Sequence, residues 1–395
     1  MRTSIPTAVF ASLLAAAMLA CGESKEFLED DVAAGVKGAA DSASLPAFPA
    51  RAAAQLGLKF GFLDESGRLA IPAEFQEVRL FSEGLAAVKI NGLWGYIDTA
   101  GKEVVAPSYL SALPFSEGLA AVSTQRGWGY IDRTGAFVIE PKFDHALPFS
   151  EGLAAVQRRG KWGYVDRSGK VVIEPRFVFA GEFDRGRARV LVGEKTGLID
   201  RRGKFVLEPR YDWIGEFSAN RAAVRVQEPE VWRYGYVDLD GRVIVKPDFT
   251  AAEPIRDGLA LVRVDDRYGY VDTTGVFAIP ARFGWAFEFS EGLAAVNDGL
   301  GWGFIDATGD YVIAPRADWQ VGSFSDGVAA AKVGGKWGYI DRTGAFSIEP
   351  RFDDVTPFDR GRAIVRLDGK YGVIDRSGAF LAEPRYDRIE SYSRR

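Results

Sequence analysis

The sequence predicts an all-β fold, a tandem array of about ten units that are each a three-stranded antiparallel meander of about 34 residues. Three observations support this. An aromatic residue followed by glycine recurs at a nearly constant spacing, as at Trp94 and Trp128. The residues that follow alternate in character with period two, which is the period of a β-strand. An Asp-x-x-Gly segment, typical of a tight turn, comes next in every copy.

Three residue types mark the repeat. The aromatic of the aromatic-glycine pair is Phe60, Trp94, Trp128, Trp162, Tyr234, Tyr268, Trp302, Trp337 or Tyr371, and one copy has Thr196 in its place. Each copy then has an aspartate and a glycine, for example Asp98 with Gly101, Asp132 with Gly135, and Asp166 with Gly169. Each copy also has a later proline, such as Pro175. Because all copies share these positions, we interpret them as structural residues and not as catalytic residues.

The copy KWGYVDRSGKVVIEPRF shows the structural role that each shared residue is expected to have. Trp162, Tyr164 and Asp166 fall on alternate positions of a first strand. The aspartate can accept a backbone N–H in the turn, and the turn glycine can take a positive φ. A second strand, KVVIE, ends at Pro175, because proline cannot donate to a strand ladder. A third strand has the sequence LAAV, as at 153–156, and the variable stretch before it is predicted to be a loop.

A meander of this size cannot bury enough apolar surface to fold alone, so the copies must stack. Two arrangements are possible: an open superhelical or solenoid-like array, and a closed β-propeller-like ring. Propellers usually have four to eight four-stranded blades. Ten three-stranded units therefore favour the open array, and the closed ring is the alternative.

From about residue 57 to 390 the chain resembles the WG-repeat (KWG-repeat) family of bacterial proteins. The resemblance rests on the Trp-Gly-Tyr-Ile/Val-Asp motifs, the Asp-x-x-Gly turns and the Ile-Glu-Pro strand ends. It implies an all-β repeat module, often found on exported or anchored bacterial proteins. It implies no shared enzymatic activity and no catalytic residues.

The N-terminus predicts export. Residues 1–20 combine Arg2 with an apolar run that is too short for a membrane span but suits a signal peptide. The run ends at the chain's single cysteine, Cys21, in a context that resembles a lipoprotein lipobox, so lipidation is expected there; an ordinary signal peptide is the alternative. Residues 21–55 are predicted to be an acidic, flexible tether, and residues 56–395 the repeat domain. The expected location is the bacterial cell envelope, as an outer-membrane lipoprotein.

Composition excludes several kinds of chemistry. The chain has one histidine, His145, and one cysteine, which cannot build a Cys/His zinc site or a Cys/His nucleophile pair. A net charge of −5 without a basic block argues against nucleic acid. Calcium needs six to eight oxygens, whereas each turn offers one aspartate, so turn capping is favoured over metal binding. No metal and no cofactor is expected.

Candidate binding residues lie where the copies disagree. The position two residues after the post-proline aromatic, or its equivalent, forms a variable loop column, and the column includes Phe179, Trp213, Trp285, Trp319 and His145. The turn 227–233, QEPEVWR, is longer than its equivalents and adds Trp232. Aromatics presented on loops could bind a partner, or they could fill gaps between units. A lone histidine in such a loop is also typical of an ordinary surface residue.

Three functions remain open. The leading hypothesis is a non-enzymatic, membrane-anchored module that binds a protein or an envelope polymer. A glycosidase-like hydrolase that uses groove carboxylates is the second hypothesis, because acids are plentiful. The third is a structural spacer.

Overall fold

The fold is a closed ring of ten four-stranded antiparallel sheets, given by a computed structural model that describes residues 51–229 and 231–390. The predicted all-β array of ten units is confirmed. The closed ring, which the sequence left as the alternative, is the observed arrangement, and the favoured open superhelix is not formed. The described residues contain no helix.

The ring closes because the last strand completes the first sheet. Arg388–Ile389 pairs antiparallel with Ala52–Leu56, so that Ala54 lies opposite Ile389. Ala52–Leu56 reads AAAQL and takes the place of LAAV in its blade. The predicted tether therefore overlaps the fold at its last residues, which were expected to lie outside it. The rest of the tether, the signal peptide and Cys21 lie outside the described residues.

The sheets are blades I to X in ring order, and their strands run from the innermost to the outer one. Blades I and II contain β40 (Arg388–Ile389), β1 (Ala52–Leu56), β2 (Lys59–Leu63), β3 (Leu69–Phe75), and β4 (Glu77–Val78), β5 (Leu85–Ile90), β6 (Leu93–Asp98), β7 (Glu103–Tyr109). Blades III and IV contain β8 (Ser111–Ala112), β9 (Ala120–Thr124), β10 (Gly127–Ile131), β11 (Phe137–Phe143), and β12 (His145–Ser150), β13 (Leu153–Arg158), β14 (Lys161–Asp166), β15 (Val171–Phe177). Blades V and VI contain β16 (Phe179–Asp184), β17 (Arg187–Val192), β18 (Lys195–Ile199), β19 (Phe205–Tyr211), and β20 (Trp213–Ser218), β21 (Arg221–Gln227), β22 (Trp232–Asp238), β23 (Val243–Phe249). Blades VII and VIII contain β24 (Ala251–Arg256), β25 (Leu259–Val264), β26 (Arg267–Asp272), β27 (Phe277–Phe283), and β28 (Trp285–Ala286), β29 (Ala294–Asn297), β30 (Trp302–Ile305), β31 (Tyr311–Arg316). Blades IX and X contain β32 (Gln320–Ser325), β33 (Val328–Val333), β34 (Lys336–Ile340), β35 (Phe346–Phe352), and β36 (Asp354–Val355), β37 (Arg362–Leu367), β38 (Lys370–Asp375), β39 (Phe380–Tyr386).

The prediction of three strands per unit was wrong, because the variable stretch forms a fourth strand. In blade IV the stretch from His145 pairs with the LAAV strand, with Ala146 opposite Val156 and Phe149 opposite Ala154. The register shifts between these two pairs, at the position of Pro148, which has no N–H to donate. Bulged pairing of this kind leaves no simple alternation in the sequence, so the stretch resembles a loop.

The two shared glycines prevent collisions with backbone and side chains. A Cβ on Gly163, the glycine of the Trp-Gly pair, would lie 2.4 Å from the carbonyl oxygen of Ile173 on the outer strand of the same blade. This glycine therefore leaves room for the backbone of the outer strand. Gly169 has a φ of 80°, and a Cβ there would lie 3.0 Å from Ile139 of the preceding blade. Both positions therefore exclude other residues.

Adjacent blades share their apolar core. The rings of Tyr164 in blade IV and Phe183 in blade V lie 4.8 Å apart, and the Tyr164 hydroxyl donates to the carbonyl oxygen of Gly181 at 2.7 Å. Ser150 donates to the carbonyl oxygen of Phe183 at 2.6 Å, which joins the two innermost strands. The same hydroxyl bond to the next blade recurs at Ser82, Ser116, Ser218, Ser290 and Ser325. The innermost strands thus surround a central channel.

The ring has two different faces. On one face, which we call proximal, the turn after the innermost strand meets the Asp-x-x-Gly turns, since Arg201 of one such turn donates to the carbonyl oxygen of Glu151. Strand β1 begins on this face and β40 ends on it. The opposite face, which we call distal, carries the turns between the second and third strands and the links between blades.

Candidate binding face and central channel

Two of the predicted binding residues are exposed on the distal face. Phe179 is 43% exposed, and its ring lies 5.6 Å from that of Trp162 in the preceding blade. Trp285 is 56% exposed and stacks on Tyr268 at 6.2 Å. Both side chains start an innermost strand, so rigid sheet holds each aromatic ring at the surface.

His145 starts the innermost strand of blade IV and lies between two tryptophans. Its ring is 4.8 Å from Trp128 and 5.7 Å from Trp162. With Phe179, these rings form one continuous aromatic row across blades III, IV and V. The Trp-Gly tryptophans thus pack against the next blade, and the first residue of that blade determines what they contact.

Trp213 and Trp232 are partly buried beside an arginine. The guanidinium carbon of Arg225 lies 4.1 Å from the Trp232 ring centre and 6.0 Å from that of Trp213. Both tryptophans pack against the core between blades VI and VII. The long turn 227–233 therefore supplies an aromatic cover for a buried arginine, a contact worth about 1–2 kcal/mol when water is excluded.

The assignment of Trp319 to the exposed column was wrong by one residue. Gln320 pairs with Lys332 in the way that Trp285 pairs with Asn297, so Gln320 holds the column position. The extra residue of this 35-residue spacing accounts for the shift. Trp319 itself is 3% exposed and packs in the core against Phe346 and under Arg316.

The sequence did not single out the carboxylates at the central channel. Glu182, Glu216 and Glu288 occupy one repeat position, in or just after the innermost strand, and Glu253 and Glu390 occupy the position before it. Blades II to IV have Leu80, Pro114 and Pro148 at that position. Blades V to VIII therefore form an acidic part of the channel wall, which we call the acidic half. Aligning the variable stretches by strand, and not as a loop, would have revealed them.

One blade adds a cation to this acidic half. In blade IV, Ala155 lies opposite Tyr164, whereas in blade V the equivalent pair is Arg189 opposite Leu198. Arg189 donates to the carbonyl oxygen of Ile214 in the next blade at 3.2 Å. Its guanidinium thus replaces the link that the tyrosine hydroxyl makes elsewhere.

Two carboxyl groups of the acidic half have raised pKa values. Burial raises the pKa of the Glu182 carboxyl to about 7, Arg189 offsets part of the rise, and Glu216 adds to it. Burial, and then the neighbouring Glu288, raises the pKa of Glu253. The turn aspartates behave oppositely: the Ser168 hydroxyl and turn N–H groups hold the pKa of Asp166 below its usual value. A carboxyl that titrates near neutrality can exchange protons, and a turn cap cannot.

The described residues offer neither a metal-binding cluster nor a membrane-spanning helix. Residues 51–229 and 231–390 contain no cluster of three or more histidine, cysteine or acidic side chains arranged to hold a metal. No helix in this part of the chain has the length and apolar character needed to cross a membrane.

The repeat unit matches a known family. The family model described as "WG containing repeat" matches ten segments, at residues 60–94, 94–125, 128–162, 162–195, 197–228, 234–268, 268–299, 302–337, 337–371 and 371–394. The chain belongs to the WG-repeat family. Each matched segment begins near a third strand, so one sequence repeat of this WG-repeat protein spans parts of two blades.

The WG-repeat ring is similar to several solved structures at low sequence identity. A crystal structure of a eukaryotic initiation factor is 12% identical, with a TM-score of 0.52 over 88% of this chain and 98% of that chain. PorZ, a surface component of the type-IX secretion system of Porphyromonas gingivalis, is 11% identical, with a TM-score of 0.29 over 86% and 53%. The dihydro-heme d1 dehydrogenase NirN is 12% identical, with a TM-score of 0.33 over 70% and 74%. The first likeness supports the ring fold alone. No curated protein sequence matches this chain.

Proposed function

We propose that this WG-repeat ring is a non-enzymatic binding module, exported and lipid-anchored through Cys21, that binds a protein or an envelope polymer on its distal face. The observation that carries the proposal is the placement of exposed aromatic side chains. Phe179 and Trp285 lie on the face opposite the start of β1 and the end of β40. A tether from the proximal face would leave the distal face free, and exposed aromatics on rigid elements are typical anchors in interfaces.

The binding test compares variants of the distal face with a control variant on an outer strand. Every chain is full length and carries Cys21→Ser, so that lipidation does not affect the result. The protein is incubated with envelope fractions, cross-linked and recovered. Phe179→Ser with Trp285→Ser should remove the specific product. Phe137→Ser is the matched control, because Phe137 is 37% exposed on an outer strand. Unchanged cross-linking in the distal double variant contradicts the binding face, and no product with the wild type favours a spacer.

The anchor is tested separately by metabolic labelling with a fatty-acid precursor. The wild-type chain should be labelled and recovered with membranes, and Cys21→Ser should be unlabelled. Labelling of the Cys21→Ser chain would disprove lipidation at this residue.

The channel carboxylates favour a second candidate, a glycosidase-like hydrolase. Glu182, whose pKa is about 7, could act as a general acid beside Glu216. Release of reducing ends from envelope polysaccharides by the wild type, lost in Glu182→Gln, would support this candidate. Equal rates in both chains would exclude Glu182 as the acid.

A further inference from the structure

Three blades share a distal ion pair that blade IV lacks, as does blade I, where Gln76 stands 17 residues after Lys59. In these three blades the lysine just before the aromatic-glycine position forms an ion pair with the aspartate of the link to the next blade. The pairs are Lys195 with Asp212 at 2.7 Å, Lys336 with Asp353 at 2.5 Å, and Lys370 with Asp387 at 2.5 Å. In blade IV the lysine is Lys161, and the residue at the aspartate position is Val178. Lys161 therefore lacks the aspartate that pairs with its counterparts.

The residues around this position are apolar and firmly held. Val178 is 41% exposed, and its N–H donates to the carbonyl oxygen of Leu191 at 2.9 Å. Phe179 and Val192 lie beside it and are also exposed. The substitution of valine for aspartate thus removes an ion pair and exposes an apolar side chain. Neither change stabilises the protein in the absence of a partner.

The neighbouring turn adds positive charge. Arg158, Arg159 and Lys161 are exposed within four residues of the turn in blade IV. Two acids lie nearby. The Asp144 carboxylate accepts the Gly160 N–H at 3.0 Å and caps this same turn, and Glu194 lies in the turn of blade V. Three cations against two acids, one of which is a turn cap, leave the surface cationic.

We propose that this cationic-apolar patch binds an acidic peptide segment that carries an aliphatic or aromatic side chain. The patch consists of Arg158, Arg159, Lys161, Val178, Phe179 and Val192. The inference rests on the proposed binding function and specifies its partner. Carboxylates of the segment would replace the missing aspartate opposite Lys161, and its apolar side chain would cover the valines.

A peptide fits these features better than an anionic polysaccharide. Sugars stack on open aromatic faces, whereas two of the three apolar side chains here are valines. The Phe179 ring also packs at 5.6 Å, tilted by 59°, against Trp162. Burial of aliphatic surface gives affinity only to a ligand that has apolar side chains of its own.

The test uses the full chain with Cys21→Ser and short fluorescein-labelled peptides. The first peptide is a run of glutamates with a central Phe-Leu pair. The second has lysines in place of the glutamates, and the third has serines in place of the Phe-Leu pair. Fluorescence anisotropy should show saturable binding of the first peptide, weakened by salt, and binding of the other two that is at least about tenfold weaker.

Val178→Asp is the decisive variant, because it restores the aspartate present in other blades and should fold normally. It should weaken binding of the acidic apolar peptide by about tenfold or more. Val172→Asp is the matched control, since Val172 is 42% exposed on the outer strand of the same blade. Lys161→Glu should weaken binding similarly and invert the preference between the glutamate and lysine peptides.

Three outcomes overturn the inference. These are failure of the acidic apolar peptide to bind, unchanged binding in Val178→Asp, and tighter binding of polygalacturonate than of the peptide. If Val178→Asp still recovers the wild-type cross-linked product from envelope fractions, the distal face remains a binding face and only this partner assignment fails. If the wild type recovers no product, the proposed function itself fails.

Discussion

The junction between blades IV and V and the junction between blades V and VI perform the same task with different chemistry. At the first, Ser150, Tyr164 and Glu151 each reach the next blade, and Glu151 accepts the N–H of Gly186 at 3.0 Å. At the second, the equivalent residues are Asp184, Leu198 and Arg185.

Three arginines of blade V supply the links at the second junction. Arg185 donates to Asn220 at 3.1 Å, Arg187 to the carbonyl oxygen of Leu239 at 2.6 Å, and Arg189 to that of Ile214 at 3.2 Å. Arg187 replaces the leading leucine of LAAV, and its side chain reaches the next blade. At the first junction Arg201 of the later blade reaches back to Glu151 instead. A junction therefore requires a donor that spans the gap, and either blade can provide it.

Blade V departs from the repeat pattern at more than one position. Arginine links replace the tyrosine link of blade IV, but they bring charge to the channel wall. The channel carboxylates begin in the same blade, at Glu182, and the cationic-apolar patch uses its first residues. We infer that blade V was freed from the repeat pattern because its junction is held independently of that pattern.

The largest expected effect comes from placing the blade V residue alone into blade IV. Ala155→Arg would bury a guanidinium against Tyr164, where no space or partner exists, and should lower the free energy of unfolding by about 4 kcal/mol. Adding Tyr164→Leu copies the blade V pair and should recover at least half of the loss. Urea denaturation checks both chains. A double variant no more stable than Ala155→Arg would show that the pair cannot be transferred.

The reverse change in blade V should have a smaller effect. Arg189→Ala leaves a cavity and an unpaired carbonyl at Ile214, with an expected loss of about 2–3 kcal/mol. Adding Leu198→Tyr rebuilds the alanine-tyrosine pair of blade IV and should restore stability. Thermal unfolding of the single and double variants measures this. Full stability in Arg189→Ala alone would mean that the junction does not depend on its guanidinium.

The features that repeat were predictable from the sequence, and those that do not were predicted less well. The turns at Asp166 and Gly169 and the number of units follow from local chemistry that every copy repeats. The strand end predicted at Pro175 was wrong, because the outer strand continues to Phe177 and the proline lies within it at the edge of the sheet. The fourth strand was missed, because its residues vary and its pairing is bulged at Pro148. Closure was not favoured, because ten units exceed the usual number of propeller blades and the missed fourth strand left each unit with only three.

The binding face could be predicted only in part. Phe179 and Trp285 were found because the copies disagree at their position, which is the signal of a site free from the fold. The prediction that Trp319 is exposed was wrong, because one inserted residue changed the register. A one-residue shift in a strand reverses the side-chain direction. The pairing of Lys161 with a position 17 residues later was invisible without the equivalent ion pairs, such as that of Lys336.

The acidic half of the channel should make stability depend on pH through blade V. The folded pKa of Glu182, about 7, lies above the ordinary value, so the folded ring binds this proton more tightly than the unfolded chain. The wild type therefore loses stability as pH rises from about 4.3 to 7. Glu182→Gln should be about 2 kcal/mol more stable than the wild type at pH 8, and the difference should vanish near pH 4. Urea denaturation across this range measures it, with the exposed Glu174→Gln of blade IV as control. A difference that does not change with pH would refute the role of Glu182.

The smallest expected effect isolates one hydroxyl at the blade IV/V junction. Ser150→Ala leaves the buried carbonyl oxygen of Phe183 without its donor and should cost about 1 kcal/mol. Asp184→Ala removes the residue at the equivalent position of blade V, where the side chain is 40% exposed and lies 3.7 Å from Arg185. That exposed ion pair should contribute less than about 0.5 kcal/mol. Urea denaturation of the two variants measures the contrast. If the two losses are equal, the serine hydroxyl is not a distinguishing link of the first junction, and the two junctions differ only in their tyrosine and arginine.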